Sequence, residues 1–250
     1  MSPLSFNFSE ETASIKISGE NFENSSLLSF LSILGKINKH SNFKNIKIIG
    51  NFNSKFLCDS FFSEKRNSYI DKTLNNFKSL SENMEQSKTL FTAEINGIVQ
   101  GPAMEIALKC NYLKAKNNTL LKLDQTNYGL IPILGTVQRL TKLIGYKDSL
   151  KAFLLDKQLT FEQGIKLNIF NYQEDNKIKI NNRKFLWDQD FANTFIFYNS
   201  KIHSIYKNKL HAYNALLSVI FESIVCNTAV SQSIEKRWLK WLLKYVLSKS

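Results

Sequence analysis

Glu105 stands four residues after Gly101 and three after Pro102, at the head of the apolar run Ile106-Ala107-Leu108. A carboxylate in such a place can hold or relay a proton. It is also favoured for a plainer reason, because the first turn of a helix leaves backbone N–H groups open and carries the positive end of the helix dipole. Twenty residues on, Gln125 offers an amide that can orient water but can neither give nor take a proton. Asp124 beside it has the right chemistry, although a one-residue shift redirects a side chain. Other combinations are poorer. His40, His203 and His211 form no nucleophile–base pattern with a serine or cysteine, and Cys58, Cys110 and Cys226 lack the spacing of a disulfide framework or a zinc site. No GxGxxG turn signals a dinucleotide domain.

The backbone punctuation around Glu105 dictates where it sits. The Asn96-Gly97 pair turns the chain out of a β-rich run at Leu90 to Ile95, and Gly101 permits close approach of another backbone. Pro102 fixes φ at a helix start, where its missing N–H breaks no intrahelical bond. Further β-rich runs at Ala13 to Ser18 and Ile46 to Gly50 alternate with helical patterns at Leu27 to Ile37 and Tyr69 to Met84. That alternation predicts βα units around a mostly parallel sheet. Tyr112 to Ala115 and Leu120 to Leu123 are expected to form a strand pair across the Asn117-Asn118 turn.

From Gly135 onward the pattern turns helical, with helices expected over Phe185 to Ser200, Lys207 to Ile224 and Ser231 to Ser248. The lysine- and asparagine-rich run from Asn171 to Arg183 is the expected connection, dividing an α/β core at 1–171 from a helical region at 172–250. In the last helix Trp238, Trp241, Leu242, Tyr245 and Val246 oppose Lys236, Arg237, Lys240 and Lys244. The aromatic face is expected to dock on the body or on a partner subunit rather than lie on a membrane.

With 250 residues, 43% of them hydrophobic, the chain has enough apolar side chain for a large folded body, and its composition is not that of a disordered one. A net charge of +12 suits an anionic ligand. A nucleic-acid partner is not expected, since the lysines spread from Lys16 to Lys249 and no aromatic RNP run accompanies them. No run has the length of a transmembrane segment, Met1 to Glu10 lacks the basic flank and apolar stretch of a signal peptide, and the scattered cysteines suit a reducing compartment. The expected location is therefore the cytoplasm.

Three ordered motifs resemble one family. Ala93-Glu94-Ile95-Asn96-Gly97 leading through Gly101-Pro102-Ala103-Met104-Glu105-Ile106-Ala107-Leu108-Lys109-Cys110 resembles the crotonase signature, in which a strand ending A-x-N-G passes through a glycine-rich turn to a helix beginning G-G-x-E-L-A-L-A-C-D. Gly129-Leu130-Ile131-Pro132-Ile133-Leu134-Gly135-Thr136-Val137-Gln138-Arg139-Leu140 is similar to that family's G-L-I-P-G-x-G-G-T-Q-R-L. Leu159 to Asn171 looks like its L-T-G-x-x-I-S-A-x-E-A-x-x-L-G-L-V-N, and Ile46 to Phe61 resembles the strand and F-x-A-G-A-D loop. The helical stretch Lys207 to Ile224 is similar to the segment that follows the crotonase part in multifunctional β-oxidation α chains.

The resemblance implies an α/β protein of the crotonase (ClpP/crotonase-like) ββα spiral fold with a C-terminal helical region. It implies an acyl-CoA thioester as substrate, no separate cofactor or metal, and a homo-oligomer, a trimer or hexamer, or a complex with a dehydrogenase subunit. By residue matching, the two backbone N–H groups that hold the thioester oxygen fall on Ser60 and Pro102, beside Gly101, and the two catalytic carboxylates fall on Glu105 and Gln125. Proline has no N–H, and glutamine is no acid. The family's enoyl-CoA hydratase/isomerase activity in fatty-acid β-oxidation is therefore expected to be weak at best. A noncatalytic pseudoenzyme or scaffold subunit and an acyl-CoA thioester hydrolase are the alternatives.

Overall fold

A computed structural model describes residues 4–8, 13–18, 22–39, 43–54, 67–170, 189–205 and 210–248. The expected connection at Asn171 to Arg183 lies outside these residues, as do Ser60 and its loop neighbours. The chain folds into two compact units, one of Met1–Lys122 with Leu159–Ile178 and one of Leu123–Gln158 with Lys179–Ser250.

The first unit is built on a five-stranded sheet ordered β1-β2-β3-β4-β6, from β1 (Leu4–Phe8), β2 (Ala13–Ile17), β3 (Asn45–Gly50), β4 (Leu90–Ile95) and β6 (Tyr112–Ala115). Alternation writes β2 and β3: Ala13, Ile15 and Ile17, then Ile46 and Ile48, are buried, whereas Lys16 and Lys47 face out. β2, β3, β4 and β6 run parallel. β1, which the sequence pattern did not announce, adds to the edge antiparallel, with Leu4 opposite Ile17. Two helices carry the stripe that packs in this unit: α1 (Asn24–Lys39) buries Leu27, Phe30, Leu34 and Ile37, and α2 (Asn67–Gln86) buries Ile70, Leu74, Phe77, Leu80 and Met84.

A smaller sheet, ordered β5-β7-β8, joins β5 (Ile98–Val99), β7 (Leu120–Lys122) and β8 (Gln158–Thr160). The strand pair expected across Asn117-Asn118 is thus corrected. Both strands exist, but β6 pairs with β4 while β7 pairs with β5 in the other sheet. The chain changes sheets at the turn, where the N–H of Lys116 still donates to Ile95 O and the N–H of Leu120 already donates to Gly97 O. The short helix α3 (Gly101–Lys109) springs from the end of β5.

The second unit is helical: α4 (Thr136–Ile144), α5 (Tyr146–Leu150) with a π-type turn at Lys151–Asp156, α7 (Gln189–Ile205), α8 (Leu210–Val225) and α9 (Thr228–Leu247). The intervening α6 (Phe161–Lys166) belongs to the first unit. α8 is its centre. Ala212, Tyr213, Ala215, Leu216, Leu217, Val219 and Ile220 are all buried, so it is apolar on more than one face, and α4, α5, α7 and α9 pack around it. Phe191 of α7 lies 5.0 Å from Tyr146 and 5.0 Å from Phe221, ring centre to ring centre. Asp190 accepts from the Tyr146 hydroxyl at 2.7 Å and from Lys147 Nζ at 3.0 Å. These two hydrogen bonds, Lys147 first, hold the Asp190 carboxyl below its ordinary pKa.

The last helix meets its expectation in part. Its buried stripe is Ser231, Glu235, Leu239, Leu242 and Leu243, whereas Trp241 is 44% exposed. The leucine stripe is the more deeply covered, and the aromatic side packs on α8 beside it, where His211 meets Trp241 at 5.2 Å and Tyr245 at 4.5 Å. No helix among the described residues is long and apolar enough to cross a membrane.

Candidate active site

β4 delivers the chain to the site with Phe91, Ala93 and Ile95 buried, and Gly97 turns it at φ 63° into β5. Gly101 then takes φ 65°, and a Cβ added there would lie 1.9 Å from the carbonyl oxygen of Ser54. Only glycine fits, for both reasons. The segment after β3 is laced to this turn by further bonds. Gln100 N–H donates to Phe52 O at 2.9 Å, and its side-chain amide donates to Asn53 Oδ1 at 2.7 Å.

Pro102 occupies the first turn of α3, as its fixed φ predicts. Its consequence for chemistry is local. The next amide, Ala103 N–H, donates to the hydroxyl oxygen of Ser54 at 3.1 Å, and the Ser54 hydroxyl donates to Gln100 O at 3.3 Å. Ser54 is wholly buried. Of the amides of Pro102 and Ala103, then, one has no hydrogen and the other is already spent on a side chain.

Glu105 is the fifth residue of α3, and no acid lies in the helix's first turn. The expectation that the helix terminus itself stabilises it is therefore corrected, since the dipole effect fades beyond that turn. The residue is nevertheless only 2% exposed, on a helix of which all nine residues are buried. A buried carboxyl is costly, and concentrations of such cost mark functional positions. One turn later Lys109, also buried, forms an ion pair with Glu85 of α2. The sequence reading missed Lys109; its signal was a lysine set where the surrounding α3 residues are apolar.

Gln125 belongs to the second unit, so the two candidate catalytic positions fall in different units. It opens a 3-10 turn, Gln125–Tyr128, closed by Gly129 at φ 77°. Gln125 is 6% exposed while Asp124 is only half-buried, so the amide rather than the adjacent carboxylate is the group turned into the protein. Tyr128 ends this turn with its phenol pKa raised, by burial first and by the Asp124 carboxylate second. The next motif is anchored within the same unit. Gly135, at φ 74°, caps α4 and donates its N–H to Glu235 Oε1 at 2.8 Å, placing a buried carboxylate of α9 at that helix N-terminus. In the third motif Thr160 and Gln163 form a reciprocal capping box on α6, and Phe170 packs so close to Gly164 that an added Cβ would lie 2.2 Å from its ring. Of the other proposed site residues, Gly101 and Pro102 lie with Glu105 on α3, and Ser60 lies outside the described residues.

Residues 58–170 match the family model described as enoyl-CoA hydratase/isomerase. The fatty acid oxidation complex subunit alpha of Shewanella loihica is 38% identical over 79 residues, which is 31% of this chain and 11% of that protein. The peroxisomal fatty acid beta-oxidation multifunctional protein AIM1 of Arabidopsis thaliana is 32% identical over 88 residues, 35% of this chain and 12% of that protein. The matches thus span less than a fifth of these relatives' lengths. Among solved structures, the enoyl-CoA hydratase of Bacillus halodurans superposes over 100% of both chains with a TM-score of 0.67 at 15% identity. An enoyl-CoA hydratase of Mycobacterium avium subsp. paratuberculosis covers 98% of this chain and 95% of its own, with a TM-score of 0.66 at 15% identity.

Proposed function

From the premise that the chain has the crotonase fold and carries an enoyl-CoA hydratase/isomerase domain at residues 58–170, we propose that it binds acyl-CoA thioesters and hydrates or isomerises them poorly. The observation behind the second half is the turn at α3: Pro102 has no N–H, and the N–H of Ala103 is held by Ser54. Enolate chemistry at a thioester needs its oxyanion met by preorganised donors, and removing one costs about 10²–10³ in rate. Gln125 removes a second contribution, because an amide orients water but moves no proton. Of the two matched positions, Glu105 keeps a carboxylate able to act as acid or base. Assembly as a trimer or hexamer, and residence in the cytoplasm, are parts of the same proposal.

The test is crotonyl-CoA hydration by the purified protein, followed through the enoyl absorbance, beside a calorimetric titration with CoA. CoA is expected to bind, and any turnover is expected to vanish in Glu105→Gln. Pro102→Gly combined with Gln125→Glu should raise hydration by about 10²-fold or more. A folded double variant that binds CoA without gaining activity would refute the diagnosis of the cleft. Failure to bind CoA would refute the acyl-CoA reading itself. The names of the matched relatives, a multifunctional protein and a complex subunit, favour a second reading in which the chain is a noncatalytic subunit that assembles with a dehydrogenase chain. CoA binding without turnover, together with co-purification of such a chain, supports it.

A further inference from the structure

Between α8 and α9, wholly within the second unit, lies a cavity of about 420 Å³ lined by His211, Asn214, Arg237, Trp238 and Trp241. That volume is within the range of small-molecule sites. Its walls are aromatic: Trp238 and Trp241 meet edge to face at 5.9 Å, and His211 meets Trp241 at 5.2 Å. Two polar atoms of residues that line it, Asn214 Oδ1 and Trp238 Nε1, are shielded from solvent and have no hydrogen-bond partner among the described residues. Such orphans are rare in folded proteins. Here one is an acceptor and the other an N–H donor, and they belong to two residues that line the same cavity. At its edge Arg237 is 69% exposed and only loosely paired with Glu222, at 3.6 Å, which leaves guanidinium N–H groups to offer. The charge of α9 is lopsided as well. Lys236, Arg237, Lys240 and Lys244 stand against one acid, Glu235, which is buried against Gly135.

We propose that this cavity is a ligand site whose residues are all distinct from those assigned to the thioester, and that it takes a planar heteroaromatic anion of the purine-nucleotide class. The ring lies against Trp241 and His211. An exocyclic amino group donates to Asn214 Oδ1, a ring nitrogen accepts from Trp238 Nε1–H, and a phosphate meets Arg237. The two side chains reach the ring by small rotations of the kind that binding-site side chains commonly make. Aliphatic or uncharged ligands would leave the orphaned pair or the guanidinium unused. The source of the nucleotide is either a free one or the nucleotide end of CoA, and the titration separates them.

The purified protein is titrated with AMP, adenosine and CoA by calorimetry, with tryptophan fluorescence as a second readout. Saturable AMP binding is expected, with adenosine about tenfold weaker or more for want of the phosphate. Arg237→Ala should weaken AMP about tenfold and leave adenosine unchanged, whereas Trp238→Phe, which keeps a ring but removes the donor, should weaken both. Circular dichroism confirms that each variant is folded. CoA competing with AMP identifies the cofactor's nucleotide as the ligand, and CoA binding that survives Trp238→Phe belongs to the thioester cleft instead. No saturable binding at millimolar AMP, equal binding of AMP and adenosine, or wild-type affinity in both variants overturns the proposal.

Discussion

Gly101→Ala and Gly97→Ala form a matched pair that separates backbone strain from steric exclusion at the head of α3. Both glycines adopt nearly the same left-handed conformation, φ 65° and φ 63°. An alanine in that region costs about 1–2 kcal/mol. At Gly97 nothing lies within 4 Å of the new Cβ, so the cost ends there. At Gly101 the Cβ would lie 1.9 Å from Ser54 O, the backbone oxygen of a residue whose hydroxyl accepts from Ala103 N–H and donates to Gln100 O. Relieving that overlap means moving main chain by more than an ångström, which adds about 1–3 kcal/mol as overpacking does. For a chain of this size each kcal/mol lowers Tm by about 2–4 °C. Gly97→Ala should therefore lose about 2–8 °C and Gly101→Ala about 4–20 °C, with the Gly101 variant lower by several degrees in the same experiment. Differential scanning calorimetry of the two purified variants measures the gap. Equal melting points would refute the claim that Ser54 and the α3 turn are locked together, and with it the argument that Ala103 N–H is not at liberty to replace the missing donor.

Glu235→Ala should destabilise the second unit by about 1–2 kcal/mol, since it removes the acceptor of a buried helix-terminal N–H; Glu235→Gln should lose less because an amide oxygen can still accept. Chemical denaturation followed by tryptophan fluorescence distinguishes them. Asp190 carries a pH prediction. Its folded pKa is lowered, so its contribution to stability is present above the ordinary aspartate range and is lost as the pH falls through the lowered value. An NMR titration of its carboxyl should show a midpoint below that of an ordinary aspartate, and Lys147→Met should move it back up. Tyr128 should ionise above the ordinary phenol range in a spectroscopic alkaline titration, and Asp124→Asn should bring it part of the way down, since burial is the larger cause.

The parts of the fold legible in the sequence were those fixed by local chemistry. The strand at Leu90–Ile95 and the helix start at Pro102 follow from alternation, from two turn glycines and from proline's own φ. Asn45–Gly50 and Ala13–Ile17 were readable for the same reason. What a local pattern does not encode is partner choice. Tyr112–Ala115 and Leu120–Lys122 both have strand character, but their assignment to different sheets depends on Ile95 and Gly97, which the chain meets fifteen or more residues earlier. α9 was legible only in part: its leucines and its tryptophans are both apolar, and the packing of α8 decides how deeply each set is covered. Lys109 was passed over because a lone lysine gives no spacing signal until Glu85 stands opposite it.

Pro102 shows why the fold was more legible than the chemistry. A helix's first turn has no internal use for its N–H groups, so a proline there costs the scaffold nothing and even suits it. Catalysis in the manner of the crotonases that the chain's motifs resemble would use that same group, because an N–H with no partner in the helix is the one open to an oxyanion. The fold and the reaction thus draw on different properties of one position, and a substitution neutral for the first removes part of the second. The bond from Ala103 N–H to Ser54 extends the point. It settles an otherwise open donor against a buried hydroxyl, which stabilises the turn, and by doing so it takes away the next amide that could have served. Restoring an N–H at position 102 therefore tests more than one residue: it asks whether a turn that has become well satisfied internally can again hold an oxygen from outside.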